Sequence, residues 1–463
     1  MATHVPAAHG AAASEQPNPL AVMRTPAYLR LLLVATVLGV PIAAAAYGFL
    51  KLTDSLQKWT FTDLPEGLGF SGVPTWWPLA PLAVAGLVVG AAVRYLPGRG
   101  GESPADGFAS GKGPPLPAAL PGIVLAALAS VGLGAVIGPE APLIALGAGL
   151  AYLAVRLTKR DLPAQTVAVV ATTGSFAAIS TLLGTPLAGA FLLLEIIGVG
   201  GAMATAVLLP GLLGAGVGAL IFTGLDSLTG FGTFSLAVPD LPAAGSPTGA
   251  EFGWAVAVGL VAGPLVAGLR WLALAVRDRL KMPTVAVTVL AGLAVAALAI
   301  AYAETTGHQT TDVLFSGQSA LPTLLTKADT YSVGALLMLL LCKGIAYSLC
   351  LGRFRGGPTF PAMFLGAAGG VALSHLPGLP LVPAAAIGIG AMTAAMLRLP
   401  MSAVLLTTLF LGSDGLPVMP LTIVAVVVAY VTAVWLTRPQ PASSSTPPAR
   451  HETRQARATD APA

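Results

Sequence analysis

Long apolar runs separated by short polar breaks make up the central part of this sequence. Some runs are long enough to cross a hydrocarbon layer of about 30 Å, and others are too short at about 1.5 Å per residue. Short runs interrupted by glycine and proline are typical of broken, re-entrant helices. The pattern therefore predicts an all-α, polytopic membrane protein. Its apolar segments lie near 29–50, 75–96, 117–137, 141–156, 165–183, 187–198, 202–223, 252–275, 283–303, 331–351, 360–374, 382–397, 401–412 and 417–436.

Composition agrees with this prediction and excludes other classes. Of 463 residues, 55% are hydrophobic and 9% are charged, whereas about a quarter of the residues in soluble domains are charged. The net charge of +4 comes from short basic clusters between apolar runs, so we expect no nucleic-acid partner. The apolar segments hold no cluster of His, Asp or Cys that would form a catalytic or metal site. The sequence therefore predicts neither an enzyme nor a metal or cofactor site.

The two cysteines, Cys342 and Cys350, lie in or beside an apolar stretch. They could pair or bind a metal, but two small buried side chains is the favoured interpretation.

The chain divides into two tails and one membrane domain. Residues 1–22 and 438–463 are low-complexity and are predicted to be disordered. Residues 23–437 form the membrane domain, with halves at roughly 23–223 and 250–437. No cleavable signal is apparent, so the first apolar run is expected to direct membrane insertion.

Loop charges predict the orientation of the protein in the membrane. One set of loops is basic and another is acidic, and the positive-inside rule places the basic set and the C-terminal tail in the cytoplasm. The basic set includes Arg94, Arg99, Arg156, Arg160, Arg270, Arg277, Arg353 and Arg355.

A motif with the pattern G-P-x-x-P-x-x-x-L-G-A occurs twice, at 138–148 and 357–367. The repeat extends further, because Gly174 precedes Pro186 by the same spacing as Gly388 precedes Pro400. The order and spacing indicate a duplicated unit. Inverted repeats are common in transporters and place a binding site near the membrane midplane.

The duplicated motif predicts two helix starts facing one site. A helix N-terminus presents unpaired N–H groups and about half a positive charge, which together favour a small anion. The clearest difference between the copies is Glu140 against Thr359. An intramembrane carboxylate is costly and usually functional, so Glu140 is predicted to compete with the anion for the same N–H groups. A plain helix cap is the alternative.

Glu195 is the other carboxylate deep in an apolar run. It is a second candidate for a proton path, although a structural role bonded to neighbouring helix ends is favoured.

These residues resemble the CLC family of chloride channels and chloride/proton antiporters over most of 29–437. Residues 138–142 are similar to its G-[KR]-E-G-P signature, and 356–361 to its G-x-F-x-P element. The segment that begins at Pro186 resembles the family's P-L-[AT]-G element before the dimer-interface helices, and the segment that begins at Leu399 resembles the counterpart of that element in the second half. The resemblance implies inverted repeats of broken helices, a homodimer in the plasma membrane with an anion path in each subunit, and cytoplasmic termini.

The resemblance also implies roles for individual residues. Glu140 corresponds to the gating glutamate, and the anion-binding set comprises Gly138, Pro139, Ala141, Gly357, Pro358, Thr359, Phe360, Gly101 and Ser103. The last two come from the family's G-S-G-I-P motif, which falls at 100–104 and puts Gly101 where the serine belongs. Ser103 could take its place only if the loop shifts.

Other departures concern the cytoplasmic side of the path. Thr359 stands at the phenylalanine position of G-x-F-x-P, the central tyrosine has no obvious equivalent, and Ile196 aligns with the inner proton-transfer glutamate. A wider, wetter inner side favours an anion channel or weakly coupled transporter. Chloride/proton antiport through Glu140 stays open, as do a fluoride exporter and a non-transporting membrane scaffold.

Overall fold

The computed structural model describes residues 21, 23–108, 113–158, 164–198, 201–230, 237–239, 241–280 and 282–437. Fourteen helices of eleven or more residues lie within these ranges and are numbered here in chain order. They are α1 Pro26–Lys58, α2 Leu79–Tyr95, α3 Leu120–Gly132, α4 Glu140–Thr158, α5 Ala164–Leu183, α6 Pro186–Ile197, α7 Gly201–Thr229, α8 Gly249–Arg279, α9 Thr284–Thr306, α10 Val333–Arg353, α11 Thr359–Leu373, α12 Leu381–Leu397, α13 Pro400–Phe410 and α14 Gly415–Leu436.

The predicted mixture of long and short helices is confirmed. In the described ranges, eight helical spans are long and apolar enough to cross a membrane, and α2, α3, α6, α11, α12 and α13 are shorter apolar helices. Prolines set the starts of the broken helices: α4 follows Pro139, α11 follows Pro358, and α6 and α13 begin with proline. Proline lacks an N–H group and has a helical φ, so it favours the first turn of a helix.

The helices of the first half recur in the second half with equivalent neighbours. α4 packs against α5 as α11 packs against α12, and α1 contacts α5 and α7 as α8 contacts α12 and α14. Prolines inside helices also match, Pro41 of α1 with Pro264 of α8 and Pro210 of α7 with Pro420 of α14. The local antiparallel pairing between the two motif copies agrees with an inverted relation between the halves.

Glycine allows the equivalent helix pairs to pack closely. A Cβ on Gly147 would overlap the carbonyl of Gly174 where α4 crosses α5. A Cβ on Gly366 would overlap the carbonyl of Gly388 where α11 crosses α12. Small residues let membrane helices approach each other in this way. The glycines that revealed the repeat in the sequence are therefore the contact points of the two helix pairs.

The favoured interpretation of the cysteines is confirmed, since Cys342 and Cys350 are buried and free. The predicted tails, 1–22 and 438–463, lie outside the described residues apart from Ala21.

Candidate functional site

The two copies of the repeated motif meet directly in the fold. The Gly138 N–H donates to the Gly357 carbonyl at 2.8 Å, and the Gly357 N–H donates to the Gly138 carbonyl at 2.6 Å. This reciprocal pair aligns the start of α4 with the start of α11. Because each helix begins within three residues of its glycine, the positive ends of both helix dipoles come together.

Glu140 fills the space between these helix starts. It is the first residue of α4 and is fully buried. Its Oε1 accepts a hydrogen bond from the Phe360 N–H of α11 at 3.0 Å, while its Oε2 has no partner among the described residues. A Cβ on Gly357 or Gly138 would overlap this carboxylate. The Glu140 carboxylate thus lies at a helix N-terminus, where a small anion would bind.

The neighbouring predicted site residues lie around this carboxylate. Pro139 accepts the Leu143 N–H at 3.0 Å, so it closes the first turn of α4, which also contains Ala141. Pro358 precedes α11 and Thr359 begins it. The Thr359 side chain is buried and its hydroxyl has no partner among the described residues. These residues, with Gly138, Gly357 and Phe360, form one compact site.

Gly101 and Ser103 lie on a different loop, after α2. Gly101 has φ +94°, which is readily accessible to glycine, and a Cβ there would contact Ile123 of α3. Ser103 precedes the 3₁₀ turn Pro104–Asp106, and its buried hydroxyl has no partner in the described part of the chain.

Glu195 bonds to the start of α13. Its Oε1 accepts the Met401 N–H at 2.9 Å, and its Oε2 accepts the Ser402 N–H at 2.7 Å and the Ser402 hydroxyl at 2.6 Å. These contacts satisfy N–H groups of the first turn of α13, which have no intrahelical acceptor. They are the contacts of a capping carboxylate.

Sequence reasoning missed Lys343, a fully buried lysine in the middle of α10. Its ammonium donates to the carbonyls of Asp312, Val313 and Leu314 at 2.9 to 3.0 Å and approaches that of Phe315 at 3.4 Å. It also lies 4.4 Å from the centre of the Phe364 ring on α11, a cation–π distance. A lone charge within an apolar run is the signal that could have identified it.

The loop that Lys343 holds, residues 312–315, in turn supports residues 134–138, which lead to Glu140. Phe315 has φ +58°, an uncommon conformation for a bulky residue, and its N–H donates to the Gly134 carbonyl at 3.2 Å. From the other side, the Val136 N–H donates to the Cys350 sulfur at 3.2 Å. Lys343 is therefore connected to Glu140 through the 312–315 loop and the 134–138 segment.

Two further residues near the site were also missed or misplaced. The buried Tyr347 of α10 donates its hydroxyl to the Pro358 carbonyl at 2.7 Å and lies within electrostatic range of Glu140. The prediction that Arg270 and Arg277 belong to a basic loop is wrong, because both lie within α8, which runs to Arg279. Arg270 reaches the carbonyls of Ala105 and Met396.

A polar cavity of ≈ 520 Å³ adjoins the 312–315 loop on the acidic-loop side. Its lining includes Asp54, Glu66 and Asp312 against Lys58. Burial raises the pKa of the Asp312 carboxyl above its usual range. The cavity is therefore lined by three carboxylates and one lysine.

Comparison with known proteins identifies the family. The sequence model of the voltage-gated chloride channel family matches residues 85–434. A protein of Ralstonia nicotianae named as a ClcB-like chloride channel protein is 30% identical over 425 residues, covering 87% of this chain and 93% of that one. An ion-transport protein named YfeO, of Salmonella schwarzengrund, is 29% identical over 362 residues, covering 76% and 82%.

Solved structures share the fold. A slow cyanobacterial Cl⁻/H⁺ antiporter superposes with a TM-score of 0.70 at 20% identity, covering 88% of this chain and 97% of that one. A CLC-type fluoride/proton antiporter gives a TM-score of 0.65 at 22% identity, with coverage of 88% and 96%.

The fold thus defines a polytopic membrane protein built from inverted repeats of broken helices. The chain belongs to the voltage-gated chloride channel family, so it is an integral, multi-pass membrane protein whose function is CLC-type anion transport.

Proposed function

We propose that this protein conducts chloride through a pathway gated by Glu140, with weak or no coupling to protons. The observation that carries the proposal is the position of the Glu140 carboxylate, which accepts the Phe360 N–H at the start of α11. An anion that binds this N–H must displace the carboxylate. Protonation would also weaken its hold, because a neutral carboxyl is a poorer acceptor for a helix N-terminus.

Weak coupling between chloride and proton movement is supported by residues on the side of the protein that carries the basic loops. The contacts of Glu195 are with the start of α13, and Ile196 stands where many antiporters carry the inner glutamate. Arg270 lies on the same side as the basic loops, and positive charge opposes the passage of protons.

Chloride/proton antiport is the second candidate, with Glu140 as the proton carrier. It is favoured by the structural likeness to a Cl⁻/H⁺ antiporter. Fluoride export is a lesser alternative, favoured by the likeness to the fluoride/proton antiporter.

One experiment separates channel from antiporter. Protein in liposomes is given an outward chloride gradient while chloride efflux and external pH are recorded together. The proposal predicts chloride efflux with no uphill proton movement. Proton movement against its gradient, abolished by an uncoupler, would establish antiport instead.

Anion selectivity is measured in the same liposomes by comparing chloride, bromide, nitrate and fluoride flux. The proposal predicts chloride flux well above fluoride flux. The reverse order would favour the fluoride exporter.

The expected location is the plasma membrane, with the basic loops and both termini in the cytoplasm. We further propose a homodimer with one pathway in each subunit. The resemblance of the segments at Pro186 and Leu399 to the family's dimer-interface elements supports an interface at α6 and α13, where Leu187, Phe191 and Met401 are exposed in the single chain. α6 and α13 also contact each other, so they form one continuous surface.

A further inference from the structure

One arginine bridges the turn that follows Ser103 and the end of α12. Arg270 projects from α8 to the turn that follows Ser103, where its Nη2 donates to the Ala105 carbonyl at 3.3 Å. Its Nη1 approaches the Met396 carbonyl, at the end of α12, at 3.5 Å.

These contacts leave much of the guanidinium unused. Arginine has five N–H donors in a planar fork, and both contacts of Arg270 are long for hydrogen bonds. Arg270 also forms no ion pair within the described residues. Asp106, the carboxylate on the same turn, is bonded at 2.6 Å to Arg277.

A second arginine lies beside Arg270 and repels it. Arg398 follows α12 in the left-handed conformation, with φ +59°, where glycine or asparagine is the usual residue. Its Nη2 donates to the Thr437 hydroxyl at 2.7 Å, but its buried Nε has no partner in the described part of the chain. The buried Ser103 hydroxyl is also without a partner there. Two like charges and two unused donors thus lie near one another.

Tyr347 of α10 links the Glu140 site to the helix that carries Arg270. Its hydroxyl bonds to Pro358 just before α11, and α10 packs against α8. Arg270 lies near the basic end of α8, towards Arg277 and Arg279. On a path from the Glu140 site to the basic loops, Arg270 would come before Arg277 and Arg279 along α8.

Accordingly, we propose that Arg270 is an anion-binding residue on the inner side of the gate, assisted by Arg398 and the Ser103 hydroxyl. This site rests on the proposed anion pathway. The anion supplies a negative charge beside the two arginines. It also accepts hydrogen bonds from the Arg398 Nε and the Ser103 hydroxyl, which have no partner within the described residues. A charged side chain binds a halide more tightly than a hydroxyl does. The anion is therefore expected to leave this site slowly towards the cytoplasm, and this slow release would limit the rate of transport.

Chloride titration calorimetry on the purified full chain tests this site without relying on transport. We expect Arg270→Gln to weaken chloride binding by about 10-fold, since it removes a charge-assisted hydrogen bond. Arg270→Lys should retain binding to within about threefold, because the charge is kept. Arg279→Gln is the matched control on the same helix, and it should leave binding unchanged because the Arg279 side chain is exposed and lies against Trp271.

Chloride affinity in Arg270→Gln equal to that of the parent would overturn the proposal. If Arg270→Gln fails to fold, as judged by size-exclusion chromatography, Arg398→Gln is used instead and should weaken chloride binding by about threefold. An unchanged affinity in Arg398→Gln would then overturn the proposal.

Glu140→Gln separates this site from the gate. Loss of pH-dependent flux in Glu140→Gln, with normal chloride binding in Arg270→Gln, would support the gate and reject the inner site. The opposite pair of results would support the inner site and reject the gate.

Discussion

Gly357 packs directly against the Glu140 carboxylate, and any side chain at position 357 would overlap it. A Cβ at this position would overlap the Oε2 of Glu140, so Gly357→Ala must move either the carboxylate or the start of α11. We expect the flexible carboxylate to move, at a cost of about 1–3 kcal/mol in the free energy of unfolding. Chloride flux into liposomes at neutral pH should then rise, because the competing carboxylate has left the anion site.

Gly369 on the same helix provides a matched control for Gly357. A Cβ there would meet nothing within 4 Å, so Gly369→Ala should keep parental flux and gain a few tenths of a kcal/mol, up to about 1 kcal/mol, from helix propensity. Flux in Gly357→Ala at the parental level, in folded protein, would show that Glu140 does not occupy the transport path.

Lys343 is the residue whose loss should damage the site from a distance. Lys343→Met leaves the carbonyls at 312–315 without their buried donor, which should lower the free energy of unfolding by about 3 kcal/mol. Flux should also fall, since this loop bonds to Gly134 beside the gate segment. Thermal unfolding in detergent and liposome flux measure the two effects.

The exposed Lys327 is a suitable control for Lys343. Lys327→Met should match the parent in both measurements. A melting temperature for Lys343→Met equal to the parent's would mean that the loop does not depend on the ammonium.

Single residues differed in how well the sequence revealed them. Glu140 and its glycines were predictable because they belong to a repeated motif whose spacing has a clear physical meaning. Tyr347 was not, because its relation to Pro358 depends on how α10 packs against α11. Arg277 was misplaced because the apolar pattern ends α8 near 275, whereas the helix continues to Arg279. Arg270 lies inside the predicted segment 252–275, and its grouping with the basic loops followed its charge alone.

At the level of elements, α13 depends on a carboxylate from α6. Glu195→Gln keeps the side-chain size but removes the charge that accepts the Met401 and Ser402 N–H groups. We expect a loss of about 1 kcal/mol in the free energy of unfolding, as for other helix N-caps. Thermal unfolding measures this loss.

The same variant tests the alternative role of Glu195. A capping residue predicts that the pH dependence of chloride flux is the same in Glu195→Gln as in the parent. A shifted pH profile would instead place Glu195 on a proton route.

The elements themselves were largely predictable. Every predicted apolar segment overlaps one of α1 to α14, because chain breaks in a membrane need proline or glycine and these are visible in the sequence. The ends were less predictable: α1 extends to Lys58 and continues into a π-helical turn at Trp59–Asp63. The polar residues there gave no apolar signal, although they continue the helix.

At the scale of the whole molecule, the exposed apolar surface on α6 and α13 predicts association of two chains. The protein in mild detergent should have twice the chain mass of 46.2 kDa by light scattering, after correction for bound detergent. Introducing Trp at both Leu187 and Met401, which are 56% and 62% exposed, should yield monomers. A parent protein that elutes as a monomer at all concentrations would refute the proposed homodimer.

The central claim is that the Glu140 carboxylate occupies the anion site and leaves it on protonation. Its most direct measurement is chloride flux in liposomes as a function of external pH, in the parent and in Glu140→Gln. The account predicts that parental flux rises as pH falls, because the neutral carboxyl releases the Phe360 N–H. Flux in Glu140→Gln should be independent of pH and near the parent's low-pH level. The same pH dependence in both proteins would contradict the account.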